Sequence, residues 1–174
     1  MDSEAKIYLE RADNKVLLAK VTYDMSTNAR IKESLHLEKE ATFFNDVISG
    51  AYYGIFYSAK AYLIENGIKT SPQQEHRKTY EKFRGRVALG NIDSELGEIY
   101  GTEAEKAEIL LKIFFSEKRK RGIFTYHMKS EANIPAAEES LRNARKFVSM
   151  MRLILEQKDS KETTGTFHKP AGKN

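Results

Sequence analysis

The sequence predicts an all-α fold: one domain, an up-and-down bundle of four to five helices. Three observations carry that expectation. Apolar residues recur at spacings of three and four over most of the chain, as they do on helices with one buried face. No segment of useful length alternates with the period of two that a half-buried strand needs, and no motif repeats at a fixed interval. The pairs Asn66-Gly67, Ser71-Pro72, Gly90-Asn91 and Ile134-Pro135 fall between the periodic segments, where chain reversals are expected. The chain has 174 residues, 40% hydrophobic and 31% charged, enough for a single core without staples.

Residues 4–24 form the first helix, with Ala5, Tyr8, Ala12, Val16, Ala19 and Tyr23 along one stripe. It fades into the loop composition Met25-Ser26-Thr27-Asn28. In residues 29–42 only Ile31, Leu35 and Leu37 are apolar, which allows no more than a short exposed helix. Residues 43–66 are the strongest helix. Phe44, Val47, Ile48, Ala51, Ile55 and Phe56 open a face so wide that the helix should be central. Gly50, Gly54 and Ser58 lie four apart on it. Each glycine costs a helix about 1 kcal/mol against alanine, so another helix should approach closely along that line. Tyr52, Tyr53, Phe56, Tyr57 and Tyr62 could stack bases, but at helical spacing a place in the core or a dimer interface is the stronger expectation. Asn66-Gly67 suits a left-handed cap.

Ser71-Pro72 is placed to cap and open a helix over 73–88, with Tyr80, Phe83 and Val87 as its apolar positions. Asp93 or Ser94 caps the next helix, 94–121, which carries Leu96, Ile99, Leu110, Leu111 and Phe114 and breaks near Gly122. Ile134-Pro135 opens the last helix, where Ala137, Leu141, Ala144, Val148, Met151 and Leu155 make a continuous seam. The pattern stops at Gln157. The bundle is therefore assigned to residues 1–157, with 158–174 as a flexible polar tail.

Composition removes several classes of function. With no cysteine, disulfides, thiolate zinc sites and cysteine nucleophiles are excluded. The longest apolar runs fall far short of a membrane span, and the acidic start Met1-Asp2-Ser3-Glu4 carries no signal-peptide core, so a cytoplasmic protein without a membrane partner is expected. Phosphate-loop, dinucleotide-fold and nucleophile-elbow patterns are missing, and no cofactor is expected. Glu33-x-x-His36 matches half of a di-iron carboxylate site, but the second Glu-x-x-His that such a site needs does not exist. No metal is expected, and His36 reads as a solvated surface residue. His168 in the tail is assigned no role.

The net charge of +4 is unevenly spread: residues 117–130 hold Lys118, Arg119, Lys120, Arg121 and Lys129 against Glu117 alone. Such a patch can attract a polyanion. Cations closing a helix also complement its dipole with no ligand at all. Beyond the run lie Tyr126 and His127, the latter separated from Arg121 by five residues.

The order of these parts resembles the HEPN family of small helical bundles, over roughly residues 4–156. Ala51–Ile68, with paired tyrosines, small residues and a closing Asn-Gly, is similar to that family's second core helix. Glu75–Phe83 is similar to its histidine-led third helix. Arg121 and His127 resemble the Arg-x(4–6)-His signature ahead of the final helix. The resemblance implies a homodimer with a composite ribonuclease site across a two-fold axis. Arg121 and His127 would be catalytic, and Lys118, Arg119, Lys120 and Tyr126 would hold RNA. A histidine can exchange protons at neutral pH, and an arginine's planar fork fits phosphate oxygens. Cleavage without metal, by the 2′-hydroxyl, would leave a 2′,3′-cyclic phosphate and a 5′-hydroxyl, as in the toxin of a toxin–antitoxin pair.

Two departures qualify what is implied. Gly122 stands where active members commonly carry a polar residue, often asparagine. Arg121 and Tyr126 also satisfy the Arg-x(4)-Tyr pattern of members that resemble accessory proteins; the alternative is then a non-catalytic dimer binding a partner such as a nucleotidyltransferase, or a nucleotide. His76, in the first turn of its helix, could line the same cleft, though a histidine there is more often structural.

Overall fold

In a computed structural model of the chain, residues 1–100, 107–126 and 133–165 are described, with the backbone alone for Tyr100, Thr125, Tyr126 and 161–165. Seven helices are found among them and no strand: α1 (Ser3–Thr27), α2 (Ala29–Ser34), α3 (Phe44–Glu65), α4 (Glu75–Ala88), α5 (Asn91–Tyr100), α6 (Ala107–Tyr126) and α7 (Ile134–Gly165). The all-α expectation holds. The excess over four or five helices comes from two short elements, α2 and α5, the latter cut from the expected 94–121 helix.

α3 is the axis of the molecule. Apolar residues on nearly every side bury it, and α1, α4, α6 and α7 all pack on it. Around it α1 touches α7, α7 touches α6 and α6 touches α4, but α1 and α4 do not pack on each other. The ring is therefore open along one seam, where the Tyr53–Tyr57–Lys60 face of α3 lies. α5 closes one end against α4, α6 and α7. The core centres on Phe83, Phe114 and Phe147 from α4, α6 and α7, with ring centroids 5.5–5.9 Å apart. Truncating one such phenylalanine costs about 3–5 kcal/mol.

The glycine stripe has the expected use. A Cβ at Gly50 would stand 3.2 Å from the Cβ of Ala19, and one at Gly54 only 2.7 Å from Cγ2 of Val16 and 3.3 Å from the Ala12 carbonyl oxygen. α1 thus approaches α3 as closely as backbones permit. The end of α3 is the predicted left-handed cap. Gly67 has φ +71°, and the Ile68 and Gly67 amides donate to the Leu63 and Ile64 carbonyls, both at 2.8 Å, satisfying two orphan acceptors.

Four expectations need correction. α4 starts at Glu75 after Gln74 in a left-handed conformation, φ 59°, so Ser71-Pro72 precedes the helix without capping it. Asp93 lies inside α5, and its carboxylate accepts from the Ala107 amide at 2.7 Å; it caps α6 across space. The chain does not break at Gly122, because α6 runs on to Tyr126. α7 continues past Gln157 to Gly165. Lys158 holds it there by an ion pair with Glu95 and a 2.9 Å hydrogen bond to Asn66 Oδ1, attachments that carry no apolar signal.

Candidate functional site

Four adjacent cations on a helix point about 100° apart, and α6 sends them to different places. Arg119 is exposed. Lys120 turns to α7, where its ammonium meets Glu117 at 2.9 Å, Glu139 at 2.8 Å and Ser140 Oγ at 3.2 Å. Glu117 is fully buried and also accepts from Ser140 Oγ (2.5 Å) and Asn143 Nδ2 (2.8 Å). Lys120 thus serves an interhelical clamp. Lys118 and Arg121, three apart, share the face toward α3 and α4. Lys118 Nζ lies 5.1 Å from the Tyr80 ring centroid, and burial above all lowers its pKa, with Arg77 adding to the effect and Glu81 opposing it.

Arg121 is the centre of this face. Its Cζ lies 5.4 Å from the Tyr53 ring centroid and 5.8 Å from that of Tyr52, and Nη2 donates to Tyr53 Oη at 3.2 Å. His76 comes to the same tyrosines from the first turn of α4. Its Nδ1 shares a 2.9 Å hydrogen bond with Tyr52 Oη. Its ring is 5.6 Å from Tyr52, 5.5 Å edge-on to Tyr53 and 4.1 Å from Phe56. Burial lowers the His76 pKa, and the charges of Arg121 and Lys118 act in the same direction while Glu75 opposes them. The site therefore holds a permanent cation beside an imidazole kept neutral.

The open seam extends the site along α3. Tyr53, Tyr57 and Tyr8 of α1 follow one another with centroids 5.9 Å apart. Lys15 of α1 reaches the Tyr53 ring, its Nζ 5.7 Å from the centroid. Lys60 is buried at the far end, with its ammonium 2.6 Å from Tyr8 Oη, 4.1 Å from the Tyr8 ring and paired with Glu75. Desolvation there is outweighed by the hydrogen bonds to Glu75 and Tyr8, and the Lys60 pKa rises. The described ring, cation and hydrogen-bond contacts of Tyr53 are with Lys15, Tyr52, Phe56, Tyr57, His76 and Arg121, all aromatic or basic.

Of the residues expected at the site, Arg121 and Lys118 are brought together, Arg119 faces solvent, and Lys120 is committed to Glu117. Tyr126 ends α6 and only its backbone is described. His127 lies outside the described residues. His76, expected either to line this cleft or to be structural, is at the site; the partners that pattern reading placed elsewhere are Lys15 and the Tyr52–Tyr53 pair. A signal for the last was present: Tyr53, Tyr57 and Lys60 step by four and three, a different face of α3 from buried Tyr52, Phe56 and Tyr62. Among the described residues no helix is long and apolar enough to cross a membrane. No family model matches the sequence, and a search of curated proteins finds no significant match.

Proposed function

We propose that the chain acts on single-stranded RNA as a HEPN-type endoribonuclease, with its reactive centre at Arg121 and His76. The observation that carries this reading is the pair itself: a guanidinium and a neutral imidazole held on the same two tyrosines, at a seam flanked by Lys15 and Lys118. As a base, His76 donates Nδ1–H to Tyr52 Oη and takes the 2′-hydroxyl proton at Nε2. The 2′-oxygen attacks phosphorus, the P–O5′ bond breaks, the 5′-oxygen takes a proton from water, the His76 imidazolium returns its proton to solvent, and a 2′,3′-cyclic phosphate and a 5′-hydroxyl result. Arg121 offsets charge on the non-bridging oxygens, an effect often worth several kcal/mol. A role as the toxin of a toxin–antitoxin pair is consistent with such an activity.

The test is cleavage of a single-stranded RNA by the purified chain in the presence of a chelator. Arg121→Ala should abolish it, and His76→Ala and His127→Ala, made separately, should show which imidazole works. Activity surviving Arg121→Ala would remove the site. One observation favours a second reading. Arg121 already donates to Tyr53, as an arginine that locks helices would, and this suits a non-catalytic homodimer that binds a nucleotidyltransferase, an antitoxin or a nucleotide. That reading gives no cleavage and a stable complex in a pull-down with the product of a neighbouring reading frame.

A further inference from the structure

Along the open seam two stripes of side chains meet. On α3, Tyr53, Tyr57 and Lys60 step by four and three; on α1, Tyr8, Arg11 and Lys15 step by three and four. The two helices run antiparallel, with Ala19 against Gly50 and Tyr8 against Lys60. Lys15 therefore stands over Tyr53, Tyr8 follows Tyr57, and Arg11 Cζ lies 5.3 Å from the Tyr8 ring centroid. The result is a row of three half-buried tyrosines in steps of 5.9 Å, with cations over the rings at both ends. Arg11 and Lys15 differ from other cations of the surface. Lys20, Arg77 and Arg152 each pair with a carboxylate. Among the described residues Arg11 and Lys15 have no acidic partner and lie against rings instead. Acids bound the row rather than line it. Exposed Glu4 lies one turn before Tyr8 on the α1 stripe, exposed Asp46 lies two turns before Tyr53 on that of α3, and Glu75 is taken up by Lys60.

We infer that Tyr53, Tyr57 and Tyr8 form a base-stacking track that holds a short run of unpaired nucleotides on one side of Arg121, one base to each ring, and that it reads neither sequence nor sugar. This rests on the reading of Arg121 as the centre that takes a phosphate. Unpaired bases of any kind stack on aromatic rings, and lysine or arginine beside the same rings holds the phosphates between them. The hydroxyls at the two ends of the row are already engaged, Tyr53 Oη by Arg121 and Tyr8 Oη by Lys60, so they do not select a base edge. A duplex keeps its bases stacked on one another and offers the rings only its backbone. An acidic peptide would use the cations and leave the rings uncovered. The track is finite, because phosphates beyond Tyr8 would meet Glu4.

The test is fluorescence anisotropy of end-labelled oligodeoxyadenylates, from a dinucleotide to a decamer, with the full chain. Deoxy strands lack the 2′-hydroxyl and stay intact. Affinity should climb by roughly tenfold for each base that gains a tyrosine and flatten before the decamer. A duplex of the same length, and polyphosphate of the same charge, should bind at least roughly tenfold more weakly. Tyr57→Leu should weaken decamer binding by roughly tenfold. Arg11→Glu, a change at an exposed position, should do the same with unchanged helical circular dichroism and a shallower salt dependence. Lys6→Glu, on the face of α1 that meets Glu10 and Glu156, should leave binding as it was. Polyphosphate or duplex binding as tightly as the single strand, affinity independent of length, or Tyr57→Leu and Arg11→Glu binding no more weakly than Lys6→Glu would each overturn the inference. A chain that cleaves no RNA but binds deoxy strands in this pattern refutes the ribonuclease and sustains the track. RNA cleavage with KM unchanged by Tyr57→Leu and Arg11→Glu does the reverse.

Discussion

Removing Lys120 should damage the fold and leave RNA affinity nearly intact, although it sits in the middle of the basic run. In Lys120→Ala the fully buried Glu117 carboxylate keeps Ser140 and Asn143 as donors but loses the ammonium paired with it. Stripping one member from a buried ion pair costs about 3–5 kcal/mol. Ser140 and Asn143 continue to solvate the charge, and the lysine is slightly exposed, so the loss falls toward and below the lower part of that range, roughly 2–4 kcal/mol. For a chain of this size each kcal/mol moves Tm by about 2–4 °C, so a fall of about 5–15 °C is expected by circular dichroism. Arg119→Ala, at an exposed position of the same run, should stay within about 0.5 kcal/mol. Pairing Lys120→Ala with Glu117→Gln should regain part of the loss, since a neutral amide leaves no buried charge unpaired. A Lys120→Ala protein that is as stable as wild type but binds RNA several-fold more weakly would refute the assignment of Lys120 to the α6–α7 clamp.

Other outcomes follow from the same geometry. Because burial, Arg121 and Lys118 lower the His76 pKa, the acid limb of an RNA-cleavage profile should have its midpoint below the usual histidine value near 6.5; a midpoint above it would remove His76 as the base. Since the unfolded chain then binds that proton more readily than the folded one, His76's contribution to stability is full above about pH 6.5 and falls as pH drops toward its folded value, a dependence that His76→Asn should flatten in urea titrations. Lys15→Ala should weaken RNA binding and reduce the slope of log affinity against log salt by about one; an unchanged slope would take α1 out of the interface. Gly54→Ala should destabilise by about 1–2 kcal/mol, the crowding against Val16 and Ala12 exceeding the gain in helix propensity. Gly122→Ala, with nothing within 4 Å of the added Cβ, should be neutral or stabilise by up to about 1 kcal/mol; a clear loss would mean that α6 does not run through this position.

Local patterns in the sequence were enough to place the main helices, because burial of one face imposes a period of 3.6 that needs no knowledge of the partner. The close approach of α1 to α3 was legible in Gly50 and Gly54, and the cap at Asn66-Gly67 in the backbone freedom of glycine. Gly122 was misleading: its intrinsic cost is about 1 kcal/mol, less than the packing of Phe114 and the clamp at Glu117 return to the same helix. The reach of α7 beyond Gln157 was invisible, since Lys158 is held by Glu95 and Asn66 and leaves no apolar trace.

By itself, then, the sequence determined the all-α class, the central helix and Arg121 as a focus of charge. Only the tertiary structure decided which way each cation of the run points, because that depends on the rotation of α6 about its axis relative to α3, α4 and α7. It committed Lys120 to the interior and delivered His76 and Lys15 to the tyrosines beside Arg121. Residues distant in the chain become neighbours only when helices pack, and a pattern confined to one helix carries no record of what packs against it.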